Sequence, residues 1–242
     1  MRLFEIPIAH RGLHDAEAPE NSMAAFRKAL EAGYNIETDV HLTKDNVLVA
    51  FHDRSLKRVV GQEGTIESLT FAELRTDKYR LPNGEFIPTF DELLQLVDGK
   101  VDILCELKSI GDPFRRLEKS VLAAVRDKPW VKVQAFNPLT IAWFKRNAPD
   151  ICRGQLGTLA GGKWLQLVFA FFGPTKMLWR SKPDFLAFDY GQITDPRVAN
   201  SVKKYDMKLL CWTVKSQEEY NFCKAHGVDN IIFENFLPAI ER

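Results

Sequence analysis

Two carboxylates, Glu37 and Asp39, stand two residues apart in the run NIETDVHL, residues 35–42. In an extended chain, positions i and i+2 point to the same face. Acids sharing a buried face repel each other and lose hydration, so they stay ionised only beside a cation or several hydrogen bonds. A third acid, Glu106, ends the run VDILCEL and can converge on the same point. Three carboxylates with open water positions suit a hard divalent cation, Mg2+ or Ca2+. Neither cysteine nor histidine dominates the set, so zinc is the less natural occupant. The plainer alternative pairs these acids with Arg11 or Lys108 as structural salt bridges.

His10 and His52 are two of the five histidines, and each closes a short apolar run. Imidazole titrates near pH 6.5, so two such groups beside an acidic cluster supply a general base and a general acid. Otherwise each is an ordinary hydrogen-bonded residue at a strand end. Arg11 and Lys108 add a guanidinium fork and a point charge, a combination that binds a phosphate anion or simply neutralises the acids. Trp212, in the run KLLCWTV, is a candidate wall for a small substrate or an ordinary core tryptophan.

Short β-type runs alternating with helical patterns must position these residues. Phe4–Ala9 reads as the first strand, and Asn21 or Ser22 as the cap of a helix that Gly33 stops. Strands are expected over 35–42, 47–51, 101–107, 130–136, 151–156, 185–189, 208–214 and 230–233. Helices are expected over 89–96, 113–126, 138–147, 195–204 and 216–224. Residues 54–88, with Gly61, Gly64, Pro82, Asn83 and Gly84, break the rhythm and read as an insertion carrying its own turns. Interleaved strands and helices imply a parallel sheet. About eight βα units in 242 residues point to a single (β/α)8 TIM-barrel domain, residues 1–242, with a small insertion after the second strand region. In such barrels the chemistry sits at the strand C-terminal ends, where these polar residues fall.

Composition narrows the function classes. Lys plus Arg is 33 and Asp plus Glu is 32, a net charge of +1, so no basic excess speaks for nucleic acid. The chain carries no GxGxxG or GxxxxGK[ST] loop. The four cysteines have no CxxC spacing and read as reduced and mostly buried, which fits a cytoplasmic location. The start, MRLFEIPIAHRG, does not read as a signal peptide, because Glu5 and Pro7 interrupt its short apolar run.

These residues also form a series with a family likeness. HRG at 10–12, APEN at 18–21, ETDVHLTKDNVLVAFHD at 37–53, CELK at 105–108 and WTV at 212–214 resemble the glycerophosphodiester phosphodiesterases, in order and over nearly the whole chain. The resemblance implies a (β/α)8 barrel with a small insertion after the HD motif. It implies metal ligands at Glu37, Asp39 and Glu106, an acid/base pair at His10 and His52, and phosphate contacts at Arg11 and Lys108. Glu20 and Asn21 would shape the site rather than react. The sequence departs from the family pattern at Ser22, Ala135, Lys215 and the closing IIFENF, none of which removes a ligand or an acid/base residue.

The stretch 161–180, GGKWLQLVFAFFGPTKMLWR, has almost no polar face and carries Lys163, Lys176 and Arg180. It reads as a buried helix, as a dimer contact, or as an interfacial anchor giving peripheral contact with a membrane. The leading expectation is metal-dependent hydrolysis of a small-molecule glycerophosphodiester to glycerol 3-phosphate and an alcohol. The alternatives are a lysophospholipase D-type enzyme acting at a membrane surface and a non-catalytic binding barrel.

Overall fold

Strand β2 (Asn35–Leu42) is buried along almost its whole length, because both of its faces are covered. It pairs in parallel with β1 (Ile8–Ala9) on one side and with β4 (Ile103–Leu107) on the other. The order continues through β5 (Val131–Ala135), β6 (Arg153–Gly157), β7 (Phe185–Asp189), β8 (Lys208–Val214) and β9 (Asn230–Phe233). β9 pairs with β1, Ile8 facing Ile232, and so closes an eight-stranded parallel barrel. The remaining strand, β3 (Leu48–Ala50), folds back antiparallel on β2 outside the ring. The computed structural model describes residues 2–109, 112–158, 178 and 180–240. Apart from 178 and 180, the apolar stretch 161–180 lies outside the described residues.

Helices wrap the barrel: α1 (Met23–Ala32), α4 (Phe90–Val97), α5 (Arg116–Val125), α6 (Pro138–Asn147), α7 (Pro196–Tyr205) and α8 (Gln217–Ala225). Their limits follow local chemistry. Ser22, not Asn21, caps α1 by accepting from the Ala25 amide, and left-handed Gly33 ends it. Thr89 and Glu92 form a capping box on α4, and Asn137 with Pro138 starts α6. The main core lies between helices and barrel, with Phe26, Phe90, Phe144 and Ile36 fully buried. A second cluster fills the barrel interior with Leu3, Ile8, Leu104, Phe185 and Leu210. Gly154 leaves room there, since a Cβ on it would lie 1.9 Å from the Phe185 ring.

The first strand is shorter than its sequence implies. Residues Arg2–Phe4 form a 3-10 turn, and only Ile8–Ala9 pair as strand. Leu3 and Phe4 plug the barrel floor instead of extending β1. The plug is tied down by Asn35 and Asn230, whose side-chain amides both donate to the Ile6 carbonyl, and also to those of Arg2 and Leu3 respectively. These backbone acceptors are thereby satisfied without a strand partner.

Residues 54–88 contain α2 (Lys57–Val60), α3 (Phe71–Leu74) and two 3-10 turns. Leu56, Ile66, Leu74, Tyr79, Leu81 and Ile87 make a small core of their own beneath Val49 and Phe51. Elements of four residues have little stability alone, so this satellite core holds them.

Candidate active site

Strand pairing places the acids. Asp39 on β2 lies opposite Glu106 on β4, while Glu37 lies two residues before Asp39. One oxygen from each of Glu37, Asp39 and Glu106 falls within 4.8 Å of the others, and all three residues are buried. Burial, then repulsion from Asp39 and Glu106, pushes Glu37 well above the usual carboxylate range. Burial and the Asp39 charge push Glu106 up as well, although Lys108 opposes them. At Asp39 burial acts upward too, but Lys108, His52 and Arg11 outweigh it and hold this acid below its ordinary value. Burial and mutual repulsion thus make two of the three acids resist ionisation, in an all-oxygen set with the donor chemistry of a hard divalent cation site.

The nearby cations are already engaged. Lys108 Nζ sits 2.8 Å from Asp39 Oδ1 and 2.6 Å from Glu106 Oε1, an ammonium bridging two of the acids. Arg11 Nε lies 3.5 Å from Asp39 Oδ2, and Arg11 Nη1 donates to Glu20 Oε1 at 2.8 Å. The salt-bridge alternative therefore describes real contacts, but the two cations leave Glu37 and Glu106 raised above the usual carboxylate range. Backbone geometry helps. Arg11 adopts φ 57°, which aims its amide at Glu37 Oε2, 2.9 Å away. Gly12 follows at φ 78°, where a Cβ would lie 2.8 Å from the Ala25 backbone, so only glycine fits. Asn21, also left-handed, donates from Nδ2 to Asp39 Oδ2 at 3.0 Å and accepts from Thr38 Oγ1 at 2.8 Å.

Each histidine has a carboxylate on Nδ1. His10 Nδ1 lies 2.8 Å from Glu234 Oε2, and His52 Nδ1 lies 2.6 Å from Asp53 Oδ1. A carboxylate there favours the Nδ1–H tautomer and leaves Nε2 with its lone pair. Burial lowers both imidazoles below their ordinary value, against the raising pull of these acids. His41 braces the second dyad by reaching the His52 carbonyl from Nε2 at 3.1 Å.

Two contributors had no clear signal in the sequence. Arg58, from α2 in the insertion, donates to both oxygens of Asp53 and to both of Glu20. An unbroken chain of charge contacts therefore runs from His52 through Asp53, Arg58, Glu20 and Arg11 to Asp39. Glu234, at the end of β9, is the other. It lies in the IIFENF departure and accepts from Lys215, a second departure, at 3.0 Å. A carboxylate ending the last barrel strand was the available signal, because closure sets that end beside β1. Trp212 on β8 donates from Nε1 to the Ala187 carbonyl at 3.0 Å and meets Phe136 edge to face.

A closed (β/α)8 barrel with two histidine–carboxylate pairs around an acidic cluster at the strand C-terminal ends defines a barrel enzyme. More narrowly, the chain belongs to the glycerophosphoryl diester phosphodiesterase family, whose family model matches residues 10–237. It is a phosphoric diester hydrolase of that family. A glycerophosphodiester phosphodiesterase of Caldanaerobacter subterraneus subsp. tengcongensis is 31% identical over 242 aligned residues, covering 94% of this chain and 93% of the relative. A crystal structure of a glycerophosphodiester phosphodiesterase from Parabacteroides distasonis superposes with a TM-score of 0.77 at 26% identity, over 94% of this chain and 92% of that one. An Oleispira antarctica phosphodiesterase in complex with its product sn-glycerol-3-phosphate shares the fold, with a TM-score of 0.77, 24% identity and coverage of 95% and 93%.

Proposed function

We propose that this chain hydrolyses glycerophosphodiesters to glycerol 3-phosphate and an alcohol, with a divalent cation, Mg2+ or Ca2+, held by Glu37, Asp39 and Glu106. The reading rests above all on three convergent buried carboxylate oxygens flanked by two histidine–carboxylate dyads. When bound, the cation supplies Lewis-acid polarisation of a nonbridging phosphate oxygen.

The protein's own groups carry the protons. One imidazole, His10 or His52, takes the proton of the attacking hydroxyl on Nε2 as the new P–O bond forms. The other delivers a proton to the departing alkoxide as the old P–O bond breaks. Arg11 and Lys108 meet the phosphate oxygens. In support, Arg11 Nε is buried and has no hydrogen bond among the described residues, lying 3.5 Å from Asp39 Oδ2. Trp212 walls the substrate pocket. The attacking hydroxyl is either water or the glycerol 2-OH, which would pass through a cyclic phosphate. Full turnover of a 2-deoxy substrate eliminates the second route.

The deciding experiment is glycerol 3-phosphate release from glycerophosphocholine with Mg2+, with Ca2+ and with EDTA. Release that EDTA abolishes supports the proposal. No release with either metal moves the search to lysophospholipids and then to a binding role.

One observation favours the lysophospholipid reading as a second possibility. Phe114, Leu139 and Leu237 are large apolar residues exposed to solvent. Phe114 and Leu237 lie in the segments after β4 and β9, and Leu139 in the first turn of α6, after β5. With the stretch 161–180 they would give peripheral contact with a lipid surface. Vesicle co-sedimentation of the wild type tests this against a Phe114→Ser/Leu139→Ser variant and a Trp164→Ser/Phe169→Ser/Phe172→Ser variant. No binding by the wild type ends the idea.

A further inference from the structure

Beside the carboxylate cluster stands a second group of ligating atoms with different chemistry. One ring nitrogen each from His10 and His14 and a Glu234 carboxylate oxygen lie within 4.8 Å of one another. Glu234 Oε2 is 2.8 Å from His10 Nδ1 and 3.6 Å from His14 Nε2. The second distance is too long for a hydrogen bond, and among the described residues the buried His14 Nε2 has no hydrogen-bond partner. Lys215 holds the other oxygen, Oε1, at 3.0 Å and so turns Oε2 toward both imidazoles. The side chains are 16%, 22% and 15% exposed, which leaves a path for a small ion.

We propose that His10, His14 and Glu234 form a second metal site, suited to a borderline transition cation such as Zn2+, and that filling it switches the enzyme off by capturing His10. Two imidazoles and one carboxylate are a zinc donor set, whereas Mg2+ and Ca2+ prefer oxygen. With Zn–N and Zn–O bonds near 2.0–2.2 Å, tetrahedral donors stand about 3.3 Å apart. The two nitrogen–oxygen distances, 2.8 and 3.6 Å, bracket that value. Ligation through Nδ1 expels the proton from that nitrogen. A neutral imidazole keeps one proton, which then resides on Nε2, so the lone pair needed to accept a proton is lost. The inhibitory half of this inference rests on the acid/base role proposed for His10. The binding half does not.

The test titrates Zn2+ into the purified protein against a chromophoric zinc indicator, with excess Mg2+ present to saturate the carboxylate cluster. The expected result is one zinc bound per chain, with affinity at least about 10-fold weaker in His14→Ala. Co2+ is expected to give visible d–d absorption in the wild type that His14→Ala lacks. A zinc-free melting curve checks that the variant folds, and His14→Gln serves as a second variant of similar polarity. Diesterase turnover, scaled to each protein's own zinc-free rate, should fall with zinc in the wild type at concentrations that spare His14→Ala. Equal zinc affinity in wild type and both His14 variants overturns the site, as does zinc binding lost only in Glu37→Gln. If the wild type shows no turnover, the titration still decides on the site, and the diesterase reading fails alone.

Discussion

Glu234 meets His10 across the seam where β9 closes onto β1, its Oε2 2.8 Å from the imidazole Nδ1. The His10 contact, first among several, holds Glu234 well below the usual carboxylate range, so the acid is ionised across the working pH range. The pair fixes the ring and its tautomer. Removal of His10 as His10→Ala should lower kcat by about 10²–10⁴-fold, the worth of a general acid or base. Glu234→Ala should cost less, about 10–100-fold, the scale of lost outer-shell support for a histidine. Steady-state kinetics on glycerophosphocholine checks both, and unchanged kcat in Glu234→Ala would remove the positioning role.

The two imidazoles also predict a pH dependence. Burial lowers both His10 and His52 from the ordinary histidine value of 6.5. The acid limb of kcat/KM should therefore have its midpoint below pH 6.5, because the base form persists to lower pH. A nearby divalent cation pushes in the same direction. For stability the sign is the same. Groups with lowered folded values favour the fold fully above about pH 6.5, and that contribution is lost as pH falls through the folded values. A pH–rate profile with an acid limb centred above 7 would contradict the assignment.

Cation binding should stabilise the fold, because it relieves repulsion among Glu37, Asp39 and Glu106. At 100 times its Kd, Mg2+ or Ca2+ should add about 2.7 kcal/mol. Calorimetry should show a higher Tm with the cation, reversed by EDTA, and no such rise in Asp39→Asn.

Arg58 offers a test of the insertion's part in the site. Its guanidinium clamps Asp53 and Glu20 together, and a lysine cannot reproduce four directed donors. Both Arg58→Ala and Arg58→Lys should lower kcat, by about 10–100-fold for the alanine variant. Circular dichroism should report the same fold for both. Activity equal to the wild type in Arg58→Ala would confine the clamp to stability.

At the opposite end of the barrel, Lys132 Nζ donates to Asp102 Oδ2 at 2.7 Å, with both side chains buried. Among the described residues, Lys132→Ala leaves the Asp102 charge with the 3.3 Å contact of Arg2. Urea unfolding should show a loss of about 3–5 kcal/mol. Below the melting transition kcat should hold, because the floor of such a barrel serves stability.

Much of this was legible in local patterns. The alternation in residues 35–42 puts Glu37 and Asp39 on one face, since side-chain direction in a strand depends only on the chain itself. The helix cap at Ser22 is likewise local, set by a side chain bonding an amide three residues on. The order of strands and helices followed from the same short-range periodicities. The first strand is the exception, because periodicity cannot show that Leu3 and Phe4 have a barrel floor to fill.

The site's long-range partners depend on closure. His10 and Glu234 are 224 residues apart, and nothing near either one names the other until β9 pairs with β1. Arg58 reaches back 38 residues to Glu20 because a satellite core docks the insertion against the barrel rim. Asp39 faces Glu106 through a parallel register set by which apolar faces bury together. Residue types and their spacing along the chain define the chemical inventory. Register, closure and ring orientation arise from packing between distant segments, and they turn that inventory into histidine–carboxylate dyads, a buried acidic cluster and a chain of charge contacts.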